Sequence, residues 1–502
     1  MKLQLLATAL GWASATALTI PSNFTLPAGN GKCKRSDYNT FASCLSNNAE
    51  AYFPGSTGFN TRAQRWSELE APTASFGISV ATEDDVSETI KFANKCGLRF
   101  LAYNGRHGSL TTLGAMDDGI AIFLHKLNSV SLGSNTATVG GGINSKALVD
   151  TLWAANRQIV SGTCECVSFL GPALGGGHGW LQGHYGLIGD QFVSMRVVTA
   201  DGVARTVSAN SNSDLFWAMK GAGANFGVVT SVTIKTYPRI HTNWAVETIM
   251  FTGDKVEQVY QAVNDHLLQN GTQPVGLIQW SYWFNIPGFD APVIALYIIQ
   301  EGVSAVSSAY TQPFHDIGPF SIEPASGSYR DISGWVGINL DAPPCQKAGF
   351  ANPRFPIYLE KFNATAMGEV YDAFKTATLP SSPFHGSLFM FEGYSTQGVK
   401  SISASSSAFA FRGDNLLIAP LLQYTPDGPS LDAYAAQVGN NLREILRQGS
   451  GRQDLHTYVN YAYGNESPQQ WYGFESWRQQ RLLTLKNKYD PFRRFNLYAP
   501  AA

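Results

Sequence analysis

Two nucleophilic side chains lie in separate glycine-rich stretches of the sequence, and they are the first candidates for chemistry. His107 is flanked by Gly105 and Gly108, and Cys164 follows in Gly162-Thr-Cys. An imidazole or a thiolate can attack an electrophilic ring and form a covalent bond. Glycine-rich loops leave successive backbone N–H groups uncovered, and such groups bind anions. Such loops could hold the pyrophosphate of a flavin, whose ring the histidine or the thiolate could attack.

Each of these residues has a simpler interpretation when it is taken alone. A histidine in a turn is more often a hydrogen-bonded structural residue, and a lone thiol is more often an inert buried one. Cys166 lies two residues after Cys164, and in a strand the two side chains would face opposite ways. His178 and His184 have no carboxylate or cysteine at a recognised ligand spacing, so no metal site is predicted.

Other common catalytic patterns are missing from the sequence. No G-x-G-x-x-G motif opens a helix, and there is no G-x-x-x-x-G-K-[ST] motif. These absences remove the main support for a Rossmann or P-loop nucleotide site. The G-x-S-x-G elbow of serine hydrolases is also absent.

Alternating strands and helices must position the two nucleophiles. Residues 75–81 are predicted to form a strand, and Thr82-Glu-Asp-Asp85 caps a helix that Gly97 ends. A second strand over 99–103 leads directly into the loop of His107. Further strands are predicted at 121–124, 138–139 and 193–200, with a helix over 145–156. This first unit is therefore of the α/β type.

The pattern of residue types along the sequence changes after about residue 240. From 241 to 453, runs of β-branched and aromatic residues alternate with helical stretches such as 365–378, which predicts an antiparallel sheet with helices. Trp280, Tyr282, Trp283 and Phe284 could line a pocket or belong to the core, and Gln423 and Arg412 are weaker pocket candidates. The tail is predicted to hold one helix that stops at Asp490-Pro491.

The ordered motifs of the first unit resemble a known family. Five motifs follow one another along this unit: Gly105-Arg-His107, the segment 162–167 with Cys164, the glycine run 175–179, Tyr185-Gly-Leu-Ile-Gly-Asp190 and the segment 214–227. Their order resembles that seen in berberine bridge enzyme-like FAD-linked oxidases of the vanillyl-alcohol oxidase and p-cresol methylhydroxylase superfamily. In the tail, Tyr458-Val-Asn-Tyr461 and Lys488-Tyr-Asp-Pro491 are similar to the family's closing motifs. The loop departs from the usual G-G-H-S or G-G-H-D, since Arg106 precedes His107 and Gly108 follows it.

The resemblance implies an α+β protein with a two-lobed FAD-binding domain of the PCMH type and a substrate domain built on an antiparallel sheet. The expected division is a signal peptide at 1–18, a leader at 19–67, the FAD-binding domain at 68–240 and the substrate domain at 241–455. A C-terminal segment, 456–502, returns to complete the FAD domain.

The resemblance also implies the site. FAD is expected to be attached twice, through His107 and Cys164, and Tyr461 is the candidate base, with its pKa depressed by a nearby cation or the flavin environment. The remaining cofactor-binding candidates are Asn104, Gly105, Arg106, Gly108, Ser109, Ser168, Gly171, His178, Val229, Tyr458 and Asn460.

The implied reaction passes a hydride from a small organic substrate to FAD, and dioxygen reoxidises the cofactor to give hydrogen peroxide. The substrate is either a carbohydrate hydroxyl or a secondary metabolite. Alternatives are a flavin dehydrogenase or cyclase with little oxidase activity, and a non-oxidative flavoprotein.

Composition limits the compartment and the partners. The net charge of −2 offers no basic field for nucleic acid. The first 18 residues have the layout of a cleavable secretory signal, and four N-x-[ST] sequons fit a secreted glycoprotein without a membrane span. A disulfide between Cys44 and Cys96 is implied by the resemblance, with Cys33 to Cys44 as the alternative.

Overall fold

The computed structural model describes residues 27, 29, 31 and 33–501. The predicted signal peptide, 1–18, lies outside the described residues, and so does the sequon at Asn23. Across the described part of the chain, no helix combines the length and the apolar character that a membrane crossing requires.

The strands, in chain order, are β1 Glu50–Tyr52, β2 Ala74–Ser79, β3 Phe100–Tyr103, β4 Gly119–Phe123, β5 Val130–Leu132, β6 Thr136–Gly140, β7 Arg157–Gln158, β8 Phe192–Val198, β9 Ala204–Ser208, β10 Val228–Lys235, β11 Tyr237–Pro238, β12 Trp244–Phe251, β13 Leu277–Phe284, β14 Val293–Glu301, β15 Ser321–Gly327, β16 Ile357–Leu359, β17 Leu388–Tyr394 and β18 Leu416–Leu421.

The α-helices are α1 Arg35–Cys44, α2 Thr57–Ala63, α3 Glu83–Cys96, α4 Ser145–Ala154, α5 Leu170–Leu174, α6 Gln182–Tyr185, α7 Ser213–Met219, α8 Val256–Ala262, α9 Ser308–His315, α10 Ile332–Trp335, α11 Ala364–Ala377, α12 Gln397–Lys400, α13 Pro429–Gly449, α14 Pro468–Tyr472 and α15 Ser476–Tyr489. The tail thus holds two helices where one was predicted.

The first lobe is a four-stranded sheet in the order β1-β2-β4-β3, in which β2, β4 and β3 are parallel. Helix α3 connects β2 to β3 and begins as the sequence predicts. The Thr82 hydroxyl accepts from the Asp85 N–H, and Gly97 ends the helix at φ 66°. A residue without a Cβ adopts this left-handed conformation without strain. Strand β3 then delivers the chain to the loop of His107.

The second lobe is an antiparallel sheet in the order β5-β6-β10-β8-β9. The C-terminal segment packs against this lobe: the buried Lys486 ammonium donates to the Asn225 carbonyl at 2.8 Å, and Asn225 Nδ2 donates to the Tyr472 hydroxyl at 2.9 Å. The tail therefore returns to the first unit, as the family resemblance implies.

The third sheet is antiparallel throughout and has seven strands in the order β15-β12-β14-β13-β17-β18-β16. Side chains alternate across it, because successive residues of a strand face opposite ways. Trp283 packs with Tyr260 and Phe391 in one core, whereas Trp280 and Tyr282 face the other lobes. The α+β architecture predicted from the sequence is confirmed by this arrangement.

Four of the described cysteines form two disulfides, Cys33 with Cys96 and Cys166 with Cys345. Both pairings considered for Cys44 are therefore wrong. Cys44 is the last residue of α1 and is exposed, whereas Cys33 lies just before α1, with its Cα 5.2 Å from that of Cys96 at the end of α3. The α1 and α3 helices pack through the rings of Phe41 and Phe92, and this contact brings opposite ends of the helices together.

Candidate active site

A cavity of about 680 Å³ lies between the first two lobes and the seven-stranded sheet. This volume is within the usual range of small-molecule and cofactor sites. The structure brings thirteen of the fourteen candidate residues to its wall: Asn104, Gly105, Arg106, His107, Gly108, Cys164, Ser168, Gly171, His178, Val229, Tyr458, Asn460 and Tyr461. Ser109 differs, because its side chain is buried in the protein behind the wall.

His107 has one ring nitrogen tied to the protein and one without a partner. Nε2 lies 3.0 Å from the Pro344 carbonyl oxygen, which can only accept a hydrogen bond, so Nε2 carries the proton. Nδ1 is buried and has no hydrogen-bond partner. Burial lowers the pKa of His107 to about 4, so the ring is neutral at physiological pH. Nδ1 is therefore a free nucleophilic lone pair.

Arg106 explains how this loop tolerates a departure from the family pattern. Its φ of 63° lies in the left-handed region, where the family sequence has glycine. The guanidinium offsets the cost, since it donates to the carbonyls of Thr61 and Arg62 at 2.7 and 2.6 Å. The histidine that follows thus keeps its place in the cavity wall.

Cys164 and Cys166 lie in an irregular turn, not in a strand, and their side chains do not face opposite ways. Cys164 Sγ is 3.6 Å from Cys166 Sγ and 3.8 Å from Cys345 Sγ, and only Cys164 of the three is a free thiol. Burial raises the pKa of the Cys164 thiol to about 11. The protonated thiol is a poor nucleophile toward the neighbouring disulfide, because thiolate is the attacking species.

The charges of the wall suit a cofactor with a pyrophosphate. The described lining contains four arginines, Arg65, Arg106, Arg354 and Arg494, against one carboxylate, Glu392. Nε of Arg354 and Nε of Arg494 are buried without a partner, as is Nδ1 of His107. Unpaired buried polar atoms are costly and call for a ligand or water. The residues present therefore fit FAD.

The glycines mainly allow the loops to pack against one another. A Cβ on Gly141 would stand 2.0 Å from the Val229 carbonyl oxygen, and one on Gly105 would stand 2.8 Å from the Ser168 nitrogen. At these two positions, neighbouring backbone already fills the space that a side chain would take.

Tyr461 is held in a hydrogen-bonded cluster at the substrate side of the wall. Its hydroxyl donates to Glu392 Oε1 at 2.8 Å, and the Tyr394 hydroxyl donates to Oε2 at 2.7 Å. The Arg354 guanidinium carbon lies 4.1 Å from the centre of the Tyr461 ring. Arg354 also donates to the carbonyls of Asn460 and His107, so it joins the base candidate to the histidine loop.

The expectation of a depressed tyrosine pKa is wrong. Burial and the negative charge of Glu392 raise the pKa of Tyr461 well above its ordinary value, and Arg354 opposes this only in part. Burial also raises the pKa of Glu392 to about 7. The group that changes charge near neutral pH is thus the carboxyl.

Glu392 is a residue of the cavity wall that the sequence motifs did not indicate. Its signal was present in the sequence, because a single carboxylate interrupts the apolar strand of residues 388–394. Such a buried acid needs a partner or a function. The register of β17 beside β13 places it opposite Trp280, on the face toward the cavity.

His178 is a buried aromatic neighbour of this cluster. Its Nε2 lies 2.7 Å from the Tyr358 hydroxyl and its Nδ1 lies 2.8 Å from Gln182 Oε1. Its ring stacks on that of Tyr394. His184 Nε2 instead lies 2.6 Å from Glu301 Oε2, so His178 and His184 contact different residues and do not form one metal-binding group.

Apart from Glu392 and Gln423, the wall formed by the seven-stranded sheet consists mainly of aromatic and aliphatic side chains. Its described members include Trp280, Tyr282, Phe284, Tyr297, Leu388, Met390 and Leu421. Gln423 also lines it, whereas Arg412 is wrong as a pocket candidate, since it forms a buried bidentate pair with Asp190. That pair anchors the segment 185–190 to the residues before β18 of the third sheet.

Comparison with known proteins agrees with this geometry. Residues 75–208 match a family described as FAD binding domain. The FAD-linked oxidoreductase chyH of Penicillium rubens is 53% identical over 100% of both chains. The FAD-linked oxidoreductase chry5 of Gibberella zeae is 48% identical over 93% of this chain and 95% of its own.

Solved structures share the fold at low identity. BBE-like 1 of Physcomitrella patens has a TM-score of 0.79 at 19% identity and covers 93% of this chain and 99% of its own. Xylooligosaccharide oxidase of Myceliophthora thermophila C1 has a TM-score of 0.76 at 21% identity and covers 92% and 98%. Given the cavity, the matched FAD domain and these relatives, the chain belongs to the FAD-linked oxidoreductases, and it shares its fold with BBE-like 1.

Proposed function

We propose that this oxidoreductase is an oxidase whose FAD is attached through His107 Nδ1 and Cys164 Sγ. The observations that carry the attachment are the unpartnered Nδ1 of His107 and the free thiol of Cys164, two residues that line the same cavity. Both groups are next to the same residue, since His107 Nε2 and Cys164 Sγ lie 3.5 and 3.6 Å from Cys166 Sγ. Each bond would replace one hydrogen of the flavin and one hydrogen of the side chain, and dioxygen would take up the two electrons and two protons as hydrogen peroxide.

Bound FAD would accept a hydride from the substrate and pass the electrons to dioxygen, with hydrogen peroxide as product. The protein's task is to take the accompanying proton. The Tyr461 oxygen accepts this proton as its own hydrogen moves along the 2.8 Å bond to Glu392 Oε1. A free tyrosinate is not needed, because the carboxylate is the final acceptor. Arg354 holds the Tyr461 ring in place.

The substrate class follows from the wall. A sugar presents many hydroxyls, and each buried one needs a hydrogen-bond partner. The described sheet wall offers few free polar groups: Tyr394 already donates to Glu392, and the Tyr282 hydroxyl donates to the Val336 carbonyl. Aromatic and aliphatic side chains dominate the rest. We therefore propose a flat, largely apolar metabolite with one oxidisable C–H bond beside an ionisable hydrogen.

The proposed compartment is the secretory pathway. Two disulfides are typical of proteins that mature in an oxidising environment. Asn363 and Asn465, which belong to two of the sequons, are exposed. Dioxygen and a small organic substrate are the proposed partners, without nucleic acid or membrane.

Peroxide formation over a substrate panel tests the proposed function. The purified protein is assayed in air with aromatic and heterocyclic metabolites and with oligosaccharides, and flavin bleaching is followed without oxygen. Peroxide with the apolar class supports the proposal. Bleaching without peroxide would identify a dehydrogenase, and turnover of sugars alone would contradict the substrate class.

A further inference from the structure

A surface segment closes one side of the cavity and reaches both attachment residues. This strap, residues 336–346, places Val336, Ile338 and Pro344 in the cavity wall, whereas Leu340 on its outer side is 43% exposed. The strap follows α10, and besides the bond between the Tyr282 hydroxyl and the Val336 carbonyl it contacts the loops that carry His107 and Cys164.

Three contacts fix the strap on the attachment loops. The Glu165 N–H donates to the Ile338 carbonyl at 3.2 Å, and the Leu340 N–H donates to Glu165 Oε2 at 2.9 Å. The covalent contact is the disulfide between Cys345 and Cys166, whose Cα atoms are 5.7 Å apart. The residue before Cys345 is Pro344, and its carbonyl is the partner of His107 Nε2.

A hydrogen bond to one imidazole nitrogen selects the tautomer, and with it the nitrogen that is free to react. The Pro344 carbonyl accepts from Nε2 and leaves Nδ1 as the lone pair. The disulfide at the next residue prevents that carbonyl from moving away. The same disulfide occupies the two sulfur atoms closest to Cys164, so Cys164 is the thiol left free.

We propose that the Cys166–Cys345 disulfide is a positioning device for cofactor attachment, which holds the Pro344 carbonyl on His107 and keeps Cys164 as the single reactive thiol. This inference rests on the proposed attachment of FAD to His107 and Cys164. The disulfide does not touch the reacting hydrogen of the substrate, and its role is exerted through His107.

The first test uses the unaltered protein. Exhaustive proteolysis releases the flavinyl-histidine, which is compared by chromatography with the synthetic Nδ1-linked and Nε2-linked isomers. The inference predicts the Nδ1 isomer. The Nε2 isomer would overturn the inference and the choice of Nδ1 as the linked nitrogen, but the covalent attachment of FAD to His107 would stand.

The second test removes the disulfide by Cys166→Ala with Cys345→Ala. Both are replaced together, because either cysteine alone would leave a second thiol within 3.8 Å of Cys164. The matched control, Cys33→Ala with Cys96→Ala, removes the other disulfide, which is remote in sequence from the strap. Flavin peptides are quantified by mass spectrometry at a fixed time after synthesis, as the ratio of His107-linked to Cys164-linked flavin.

The expected result is a fall of this ratio by roughly two- to tenfold, the factor that one net hydrogen bond supplies, with no change in the control. A purely structural role would lower both links together, and that outcome would overturn the inference, as would an unchanged ratio. If the unaltered protein carries no flavin on His107, the proposed attachment itself is wrong and the inference fails with it.

Discussion

The Tyr461 hydroxyl donates to Glu392 Oε1 at 2.8 Å, deep in the wall between the FAD-binding lobes and the seven-stranded sheet. This bond joins Tyr461 of the C-terminal segment to Glu392 of β17. The pair of residues therefore forms only when the C-terminal segment is packed against the cavity. In the proposed mechanism, the tyrosine, whose pKa is raised, and the carboxyl, whose pKa is about 7, would act together as a proton relay.

Replacing either member of the relay should slow reduction of the flavin. General base catalysis contributes about a hundredfold to ten-thousandfold, and we expect Tyr461→Phe and Glu392→Gln each to lose rate within that range. Because they act on one proton, the double variant should be little slower than the slower single variant. Rapid mixing without oxygen, with a substrate from the panel, measures this.

Tyr463→Phe is the matched control, because Tyr463 lies in the same segment but stacks on Phe355 outside the described cavity wall. Reoxidation by dioxygen does not use the relay, so its rate should change far less in every variant. Multiplicative losses in the double variant would show that the two residues act separately.

The pH dependence of flavin reduction should report the carboxyl. Glu392 accepts a proton only as the carboxylate, so the rate should rise with pH around the pKa of about 7. In Glu392→Gln this limb should disappear. A profile with the same limb in wild type and variant would assign it to another group.

The same burial should make stability depend on pH. The pKa of Glu392 is about 7 in the folded protein, above the ordinary 4.5. Its contribution to the free energy of unfolding is therefore fully present below pH 4.5 and is lost as the pH rises through 7. The shift corresponds to about 3 kcal/mol. We expect Glu392→Gln to be more stable relative to wild type at pH 8 than at pH 5 in denaturant unfolding.

Glu323→Gln, an exposed carboxylate on β15 of the same sheet, is the control and should show the same difference from wild type at both pH values. If Glu392→Gln behaves like this control, the carboxyl is not buried as a titrating group.

The disulfide between Cys33 and Cys96 should stabilise the first lobe. It links residues 63 apart, for which the chain-entropy model gives about 4 kcal/mol. Cys33→Ala with Cys96→Ala should lower the free energy of unfolding by this order while the flavin content stays unchanged. Replacement of Cys44 should have little effect, since its thiol is free and exposed.

The sequence predicted the elements well wherever the signals were local. The cap at Thr82 and the glycine at 97 each act within a few residues, and both appear in the structure. Nearly all of the candidate residues that the ordered motifs indicated line one cavity in the structure. The domain boundaries and the roles of these residues stay predictions.

The predictions that were wrong concern properties that depend on contacts between distant segments of the chain. The partner of Cys96 is set by how α1 packs on α3, and the partner of Cys166 lies 179 residues away. The raised pKa of Tyr461 comes from burial against Glu392 of another domain, which no motif near Tyr461 encodes. Spacing along the chain carries no information on such pairs.

The most direct test of the account is whether the flavin remains on the denatured protein. Wild type, His107→Ala, Cys164→Ser and the double variant are unfolded in acid, and the visible absorbance and intact mass of each protein fraction are measured. We expect one flavin on wild type and on each single variant, held in the latter by the remaining link, and none on the double variant. A colourless wild-type protein with all its flavin in the supernatant would contradict the account.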